Sequence, residues 1–216
     1  YMFDVETGEL GKRNGVYVTN VEHKMGLNVS ATCEMNLGEK EPAVGYLLGE
    51  KIDGIAQMFK VIEFARMMVG TKAIATLSSG YQQALAYAKV RVQGPDLTKS
   101  TDKTSPRVTI IHHPDVRRML MSMKSQIEAM RALAYLSAAV LDKAKRHPDA
   151  AEKRRNQALI DLLTPIVKAW CTEQCIEIAS TGVQIHGGMG FVEETGAAQY
   201  LRDARITTIY EGTTGI

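Results

Sequence analysis

Apolar positions along the chain fall into two textures. From about Ile52 onward they keep a helical beat: Ile55, Phe59, Ile62, Ala65, Val69, Ala73 and Leu77 recur at spacings of three and four, the period of a helix with one buried face. Gly94-Pro95 is expected to stop that helix, and the polar run from Asp96 to Arg107 reads as a long surface loop. A second helix is expected from Pro114, with Met119, Met123, Ile127, Met130 and Leu133 as its apolar stripe. His147-Pro148-Asp149 breaks it, and Asp149 with Glu152 forms an N-cap pair for a third helix through Leu159, Leu163, Ile166, Trp170 and Ile178. Pro165 is expected to kink that helix. A glycine loop follows Gly182, then a short helix near Ala197–Ala204 and an extended, turn-like end from Ile206 to Ile216.

The first 48 or so residues differ. Val16-Tyr17-Val18-Thr19 is β-rich and follows the turn signal Arg13-Asn14-Gly15, and Asn28 to Leu37 alternates loosely. Too few strands stand here to close a sheet of their own. The fold class expected is therefore mainly α: an antiparallel bundle of three long helices preceded by a little β-structure. The methionine stripe is core material in this reading.

Composition narrows the function. Of 216 residues, 45% are hydrophobic and 23% charged, with a net charge of +2, an ordinary globular balance without the basic stripe that nucleic-acid binding needs. No apolar run reaches the roughly 20 residues of a membrane span. The three cysteines suggest neither a disulfide framework nor a zinc site, so buried free thiols in a reducing compartment are expected and no metal. The chain opens on Tyr1 with strand-like sequence at once, which suggests that further sequence precedes it.

Two passages carry candidate chemistry. Gln184-Ile185-His186-Gly187-Gly188-Met189-Gly190-Phe191 is dense in glycine; such a loop lets backbone N–H groups approach a diphosphate, or it is simply a helix stop and tight turn. Glu211 stands between Tyr210 and Gly212. A carboxylate beside apolar and aromatic neighbours can be desolvated into a general base, with Gly212 leaving open space for a substrate. The competing reading is a capping acid for a helix starting near Thr213.

In order along the chain, Lys24-Met25-Gly26, Thr32-Cys33-Glu34, Leu47-Leu48-Gly49-Glu50, Glu63-Phe64-Ala65-Arg66, Arg91, the Gln184–Phe191 passage and Tyr210-Glu211-Gly212-Thr213 resemble the landmarks of the acyl-CoA dehydrogenase family. The resemblance implies that residues 1–48 belong to the middle β-domain and residues 49–216 to the C-terminal helical domain, truncated at its end. It implies FAD as cofactor and acyl-CoA as substrate. Glu211 would then remove the α-proton while the β-hydrogen leaves as hydride, giving a trans-2-enoyl-CoA. By the same resemblance Arg91, Gln184, Gly187, Gly188 and Thr213 contact FAD, and Glu63, Arg66, Tyr210 and Gly212 lie near the substrate. For Glu63 and Arg66 an intrahelical ion pair is the competing reading. His113 is either near the flavin or a helix-capping residue, the latter being simpler.

Because some cofactor contacts in the family come from a neighbouring subunit, a homo-oligomer, at least a dimer, is implied. So is an electron-transferring flavoprotein as electron acceptor. The location implied is bacterial cytoplasm, or the mitochondrial matrix in a eukaryote.

The chain departs from the family pattern at three places. Val92-Gln93-Gly94 stands where a run ending Phe-Gly is usual, Gly215 where a glutamine is common, and Asn28-Val29 where many members have Arg-Gly. These departures resemble a branch of longer enzymes that includes those acting on linear acyl-CoAs and on 3-methylthiopropanoyl-CoA. Two other activities stay open at this point: an acyl-CoA oxidase reoxidised by oxygen, and a helical interaction module without catalysis.

Overall fold

A computed structural model of the chain describes residues 1–4, 6–99, 101–102 and 104–214, so the departure noted at Gly215 lies outside the described residues. Two compact units are present, Tyr1–Met58 and Phe59–Ile216.

In the first unit, β1 (Val16–Val21) pairs antiparallel with β2 (Cys33–Leu37), Val16 opposite Leu37 and Val21 opposite Cys33, with a bulge between Val18 and Asn20. The turn signal before β1 is used as a clamp. Asn14 donates from Nδ2 to the Val44 carbonyl and accepts from the Val44 amide at Oδ1, both at 2.8 Å, so its side-chain amide pairs as a second peptide group would. Gly15 is required beside it, because a Cβ there would stand 2.0 Å from the Glu41 carbonyl oxygen. The second strand starts at Cys33 rather than near Asn28. Lys24 bridges the Ser30 carbonyl and Thr32 Oγ1, and Leu27 has φ +50°, which holds the intervening residues in turns.

The second unit is helical. It is built on α1 (Gly54–Val90, whose first turn belongs to the first unit), α2 (Pro114–Arg146), α3 (Ala150–His186) and the short α4 (Ala197–Arg205). Each of the three long helices presents an apolar stripe, and the stripes meet. Leu77 from α1, Met123 and Met130 from α2, and Val167, Cys171 and Cys175 from α3 are buried in one core. Burying a side chain of this size fully contributes about 1.5–3 kcal/mol.

The contacts fix direction. Gly70 faces Val167 and, further along both helices, Tyr87 stacks on His186, so α1 and α3 run the same way. On α2, Arg131 bonds Ser78 and Met123 reaches Gly182, while Leu141 lies with Ile160 and Met67 at the other end. Hence α2 is antiparallel to both, as its short connection to α3 requires. Asp149 caps α3, accepting from the Ala151 amide at 2.7 Å, whereas Glu152 does not close a capping box and pairs with Asn156. Pro165 sits inside α3 without ending it.

Two helix ends differ from expectation. α1 stops at Val90, four residues before Gly94-Pro95, because β3 (Val92–Pro95) leaves the helix to pair with β4 (Arg107–Thr109). Gly94 supplies the φ of +69° that this hairpin needs, and the polar segment after it is the hairpin's connection, stiffened where Asp96 and Asp102 accept from Thr98 and Thr104. α3 continues past Gly182 to His186. Gly182 packs against Met123 and so serves helix contact rather than termination. His113 does occupy the N-cap position of α2, yet its side chain caps nothing: Nε2 lies 2.6 Å from the Gln93 carbonyl and ties the helix start to the hairpin.

Candidate active site

The segment after α4 is a 3-10 turn, Ile206–Thr208, followed by a tight turn through Tyr210, Glu211 and Gly212. Glu211 has φ +55° and Gly212 φ +94°. For a glutamate the left-handed region costs roughly 1–2 kcal/mol, and it is held only where surrounding contacts outweigh that cost.

Those contacts are on the backbone. Arg66 donates from Nε to the Glu211 carbonyl at 3.2 Å, and Lys168 donates from Nζ to the Gly212 carbonyl. Thr214 closes the turn with its amide on the Thr208 carbonyl at 3.1 Å and its hydroxyl on Glu173 Oε1 at 2.8 Å. Lys72 donates to the Tyr210 hydroxyl at 3.3 Å. The turn is thus strapped to α1 through Arg66 and Lys72 and to α3 through Lys168 and Glu173. Among the described residues the Glu211 carboxylate and amide N–H make no hydrogen bond. Glu211 itself is half-buried.

Gly212 does not leave the open space read from its sequence. A Cβ there would lie 2.7 Å from Arg66 Nη2, so the missing side chain admits the guanidinium. Arg66 makes no ion pair with exposed Glu63 among the described residues; it turns toward the Glu211 turn instead. Both residues line a groove of about 350 Å³ between α1, α2 and α3, which also takes in Lys60, Phe64, Lys145 and Asp161.

The charges around the turn are mixed. Lys168 is only 4% exposed. Burial and then the Arg66 cation push its ammonium below the usual lysine range, and the Glu173 and Glu211 carboxylates oppose that shift. Lys168, Lys72 and Glu173 were not among the residues expected from sequence. One signal was available for Lys168: it shares the three-four stripe of Cys171, Thr172 and Cys175, all buried, so a cation stood on a core face.

The remaining expected residues gather elsewhere. Tyr87 stacks on buried His186 at 4.4 Å between ring centroids, and Arg91 follows Tyr87 by one turn, its amide on the Tyr87 carbonyl. This brings the exposed Arg91 to the end of the bundle where Gln184 is exposed on the last turn of α3 and Gly187 and Gly188 open the 3-10 turn Gly187–Phe191. Gly187 has φ +60° and donates its N–H to the Gln184 carbonyl; a Cβ on either glycine would meet nothing within 4 Å, so a ligand can come close to the backbone there. Gly190, by contrast, is structural, since a Cβ there would lie 2.3 Å from the Val183 carbonyl oxygen. Thr213 is exposed next to Gly212, at the level of Lys168. At 1.5 Å per residue, the 19 positions from Lys168 to Gly187 separate the two groups by about 28 Å.

No helix among the described residues is long and apolar enough to cross a membrane. The family model for the C-terminal domain of acyl-CoA dehydrogenases matches residues 53–216. A broad-specificity linear acyl-CoA dehydrogenase of Mycobacterium tuberculosis is 56% identical over 218 residues, covering 100% of this chain and 36% of that protein. A 3-methylmercaptopropionyl-CoA dehydrogenase of Ruegeria pomeroyi is 46% identical over 98% of this chain and 35% of its own length. The solved structure of butyryl-CoA dehydrogenase from Megasphaera elsdenii superposes with a TM-score of 0.73 at 27% identity, over 93% of this chain and 46% of that one. The chain therefore spans about a third of the length of these curated relatives. With the helical bundle, the strapped glutamate turn and a match over most of its length, the chain belongs to the acyl-CoA dehydrogenase family.

Proposed function

We propose that the full-length protein catalyses the α,β-dehydrogenation of acyl-CoA thioesters to trans-2-enoyl-CoA, with Glu211 as the base that takes the α-proton. The observation that carries this reading is the turn itself. Arg66 and Lys168 hold the two backbone carbonyls of Glu211 and Gly212, while among the described residues the Glu211 carboxylate has no hydrogen-bond donor. A carboxylate that must accept a proton needs its lone pairs free and its position fixed.

An α-proton of a thioester is too weakly acidic for a carboxylate in water, so the developing enolate needs a donor aimed at its oxygen. The Glu211 amide N–H, which bonds nothing among the described residues, is such a donor, on the same residue as the base. Arg66 and Lys168 place positive charge behind the turn, where it favours an anion forming in front. Glu63, Arg66, Tyr210 and Gly212 would lie along the bound substrate.

FAD fits the other end of the bundle. Arg91 offers an exposed guanidinium, and Gly187 and Gly188, without side chains, let a ligand approach closely, which suits a diphosphate. When bound, FAD supplies the acceptor for the hydride lost from the β-carbon. Arg91, Gln184, Gly187 and Gly188 would hold it from one side and Thr213 from another. The separation of about 28 Å between those groups supports a site shared by two copies of the chain, hence at least a dimer. We assign residues 1–48 to the end of a middle β-domain and 49–216 to the helical domain. An electron-transferring flavoprotein would be the electron acceptor and bacterial cytoplasm the setting, and linear acyl-CoAs are the first substrates to test.

The test is direct. Full-length protein, incubated with linear acyl-CoAs and a dye acceptor without oxygen, should be yellow and form trans-2-enoyl-CoA. Protein that is colourless and stays so with added FAD would refute the reading. Rapid hydrogen peroxide formation in air would replace it with an oxidase.

A further inference from the structure

We propose that Lys168 is a positioning residue for the base: its ammonium, anchored on the Gly212 carbonyl, holds the turn that presents the Glu211 carboxylate. This rests on the assignment of Glu211 proposed above.

The case starts from where Lys168 sits. It is 4% exposed on the core face of α3, beside Val167 at 0% and Cys171 at 0%. A buried cation is retained at a cost, and an apolar residue of similar shape usually serves packing as well or better. Among the described residues its one hydrogen bond goes to a backbone carbonyl rather than to a carboxylate. Core stability therefore does not account for a lysine here, whereas control of that carbonyl does.

The second observation is how the turn is held. Arg66 on α1 and Lys168 on α3 take successive carbonyls, those of Glu211 and Gly212. Rotation of either peptide would break one of the two bonds. The backbone so held is left-handed at both residues, φ +55° and +94°, a conformation that glutamate does not choose for itself. A third strap, from Thr214 to Glu173 further along α3, continues the hold on the far side of Gly212. The charged groups that face Lys168 are Arg66 from α1, Glu173 from its own helix and Glu211 from the turn. Two carboxylates thus balance two cations, and neither cation takes the Glu211 carboxylate as a hydrogen-bond partner.

Lys168→Met in the full-length holoenzyme removes the charge and donor at nearly constant shape, and Lys168→Arg keeps both. The readouts are the anaerobic flavin reduction rate, the affinity for acyl-CoA, FAD content, melting temperature, amide exchange in residues 206–214, and exchange of the substrate α-proton with solvent, followed by nuclear magnetic resonance on an analogue that cannot lose its β-hydrogen. In Lys168→Met, reduction and α-proton exchange should fall together by about tenfold to a hundredfold, the scale of a misplaced catalytic group. FAD content and acyl-CoA affinity should hold, amide exchange in residues 206–214 should quicken, and Lys168→Arg should recover part of the rate.

Rates like wild type in Lys168→Met would overturn the proposal. So would a general loss of stability, cofactor and affinity together, which would assign Lys168 to the core alone. Glu211→Gln is measured alongside. If that variant keeps the wild-type rate, the assignment of the base has failed; if it is slow while Lys168→Met is not, only the role of Lys168 has failed.

Discussion

The Nε of Arg66 donates to the backbone carbonyl of Glu211 at 3.2 Å, across 145 positions of sequence. The contact ties the first long helix to the turn that carries the candidate base, and it reaches the backbone rather than the carboxylate. A charge-assisted hydrogen bond of this kind is worth about 1.5–3 kcal/mol, enough to hold a glutamate in a left-handed conformation. Arg66→Lys shortens the reach and removes the Nε donor. We expect flavin reduction in the full-length protein to slow by about tenfold to a hundredfold, the rate equivalent of that energy, with the melting temperature little changed. An unchanged rate would mean that the turn holds itself.

Gly212→Ala should be more damaging than an added methyl suggests. The new Cβ would lie 2.7 Å from Arg66 Nη2, on a backbone of φ +94°. Left-handed strain of about 1–3 kcal/mol adds to displacement of the guanidinium. Stopped-flow reduction should show a rate lower than that of Arg66→Lys, and a crystal structure should show Arg66 moved off the Glu211 carbonyl. Wild-type kinetics would show that the close approach is not needed.

Cys171 and Cys175 give a pH prediction. Burial pushes the Cys171 thiol up to about 11, and burial with the neighbouring Cys171 pushes Cys175 up to about 12, both from 9.0. In the unfolded chain both thiols lose their protons near pH 9, while the folded chain keeps them, so the native state binds more protons there. Stability from this source is complete below pH 9 and declines as pH rises from 9 toward 11–12. Urea unfolding between pH 8 and 11 should show the decline, and Cys171→Ala with Cys175→Ala should flatten it. At pH 8 iodoacetamide should label neither thiol until urea is added. Cys33 is only partly buried and is expected to label first; rapid labelling of Cys171 or Cys175 in the native protein, located by peptide mapping, would contradict their burial.

The sequence made the helices legible because their periodicity is strong. Met123, Ile127 and Met130 are all buried on α2 as their spacing required, and Pro114 opens that helix. Helix ends were less legible. Gly94-Pro95 carries a stop signal, yet Val92–Pro95 forms a strand, since pairing with Arg107–Thr109 outweighs a local preference. Gly182 looked like another stop and proved to be a packing glycine against Met123. At the candidate site, Glu211 and Gly212 stood out because an acid between an aromatic residue and a glycine reads as a desolvated base with space beside it. Lys168, Lys72 and Glu173 did not, for they come together with the turn only in three dimensions, from 41 to 138 positions away.

The most direct measurement is Glu211→Gln in the full-length protein, mixed anaerobically with a series of linear acyl-CoAs while flavin absorbance is followed. Glutamine keeps the size and the backbone straps but cannot take a proton. The account predicts a variant that is yellow, binds acyl-CoA, and loses its flavin colour slower by about three orders of magnitude or more, as removal of an essential general base entails. A variant that bleaches at the wild-type rate would place the base elsewhere and contradict the account at its centre.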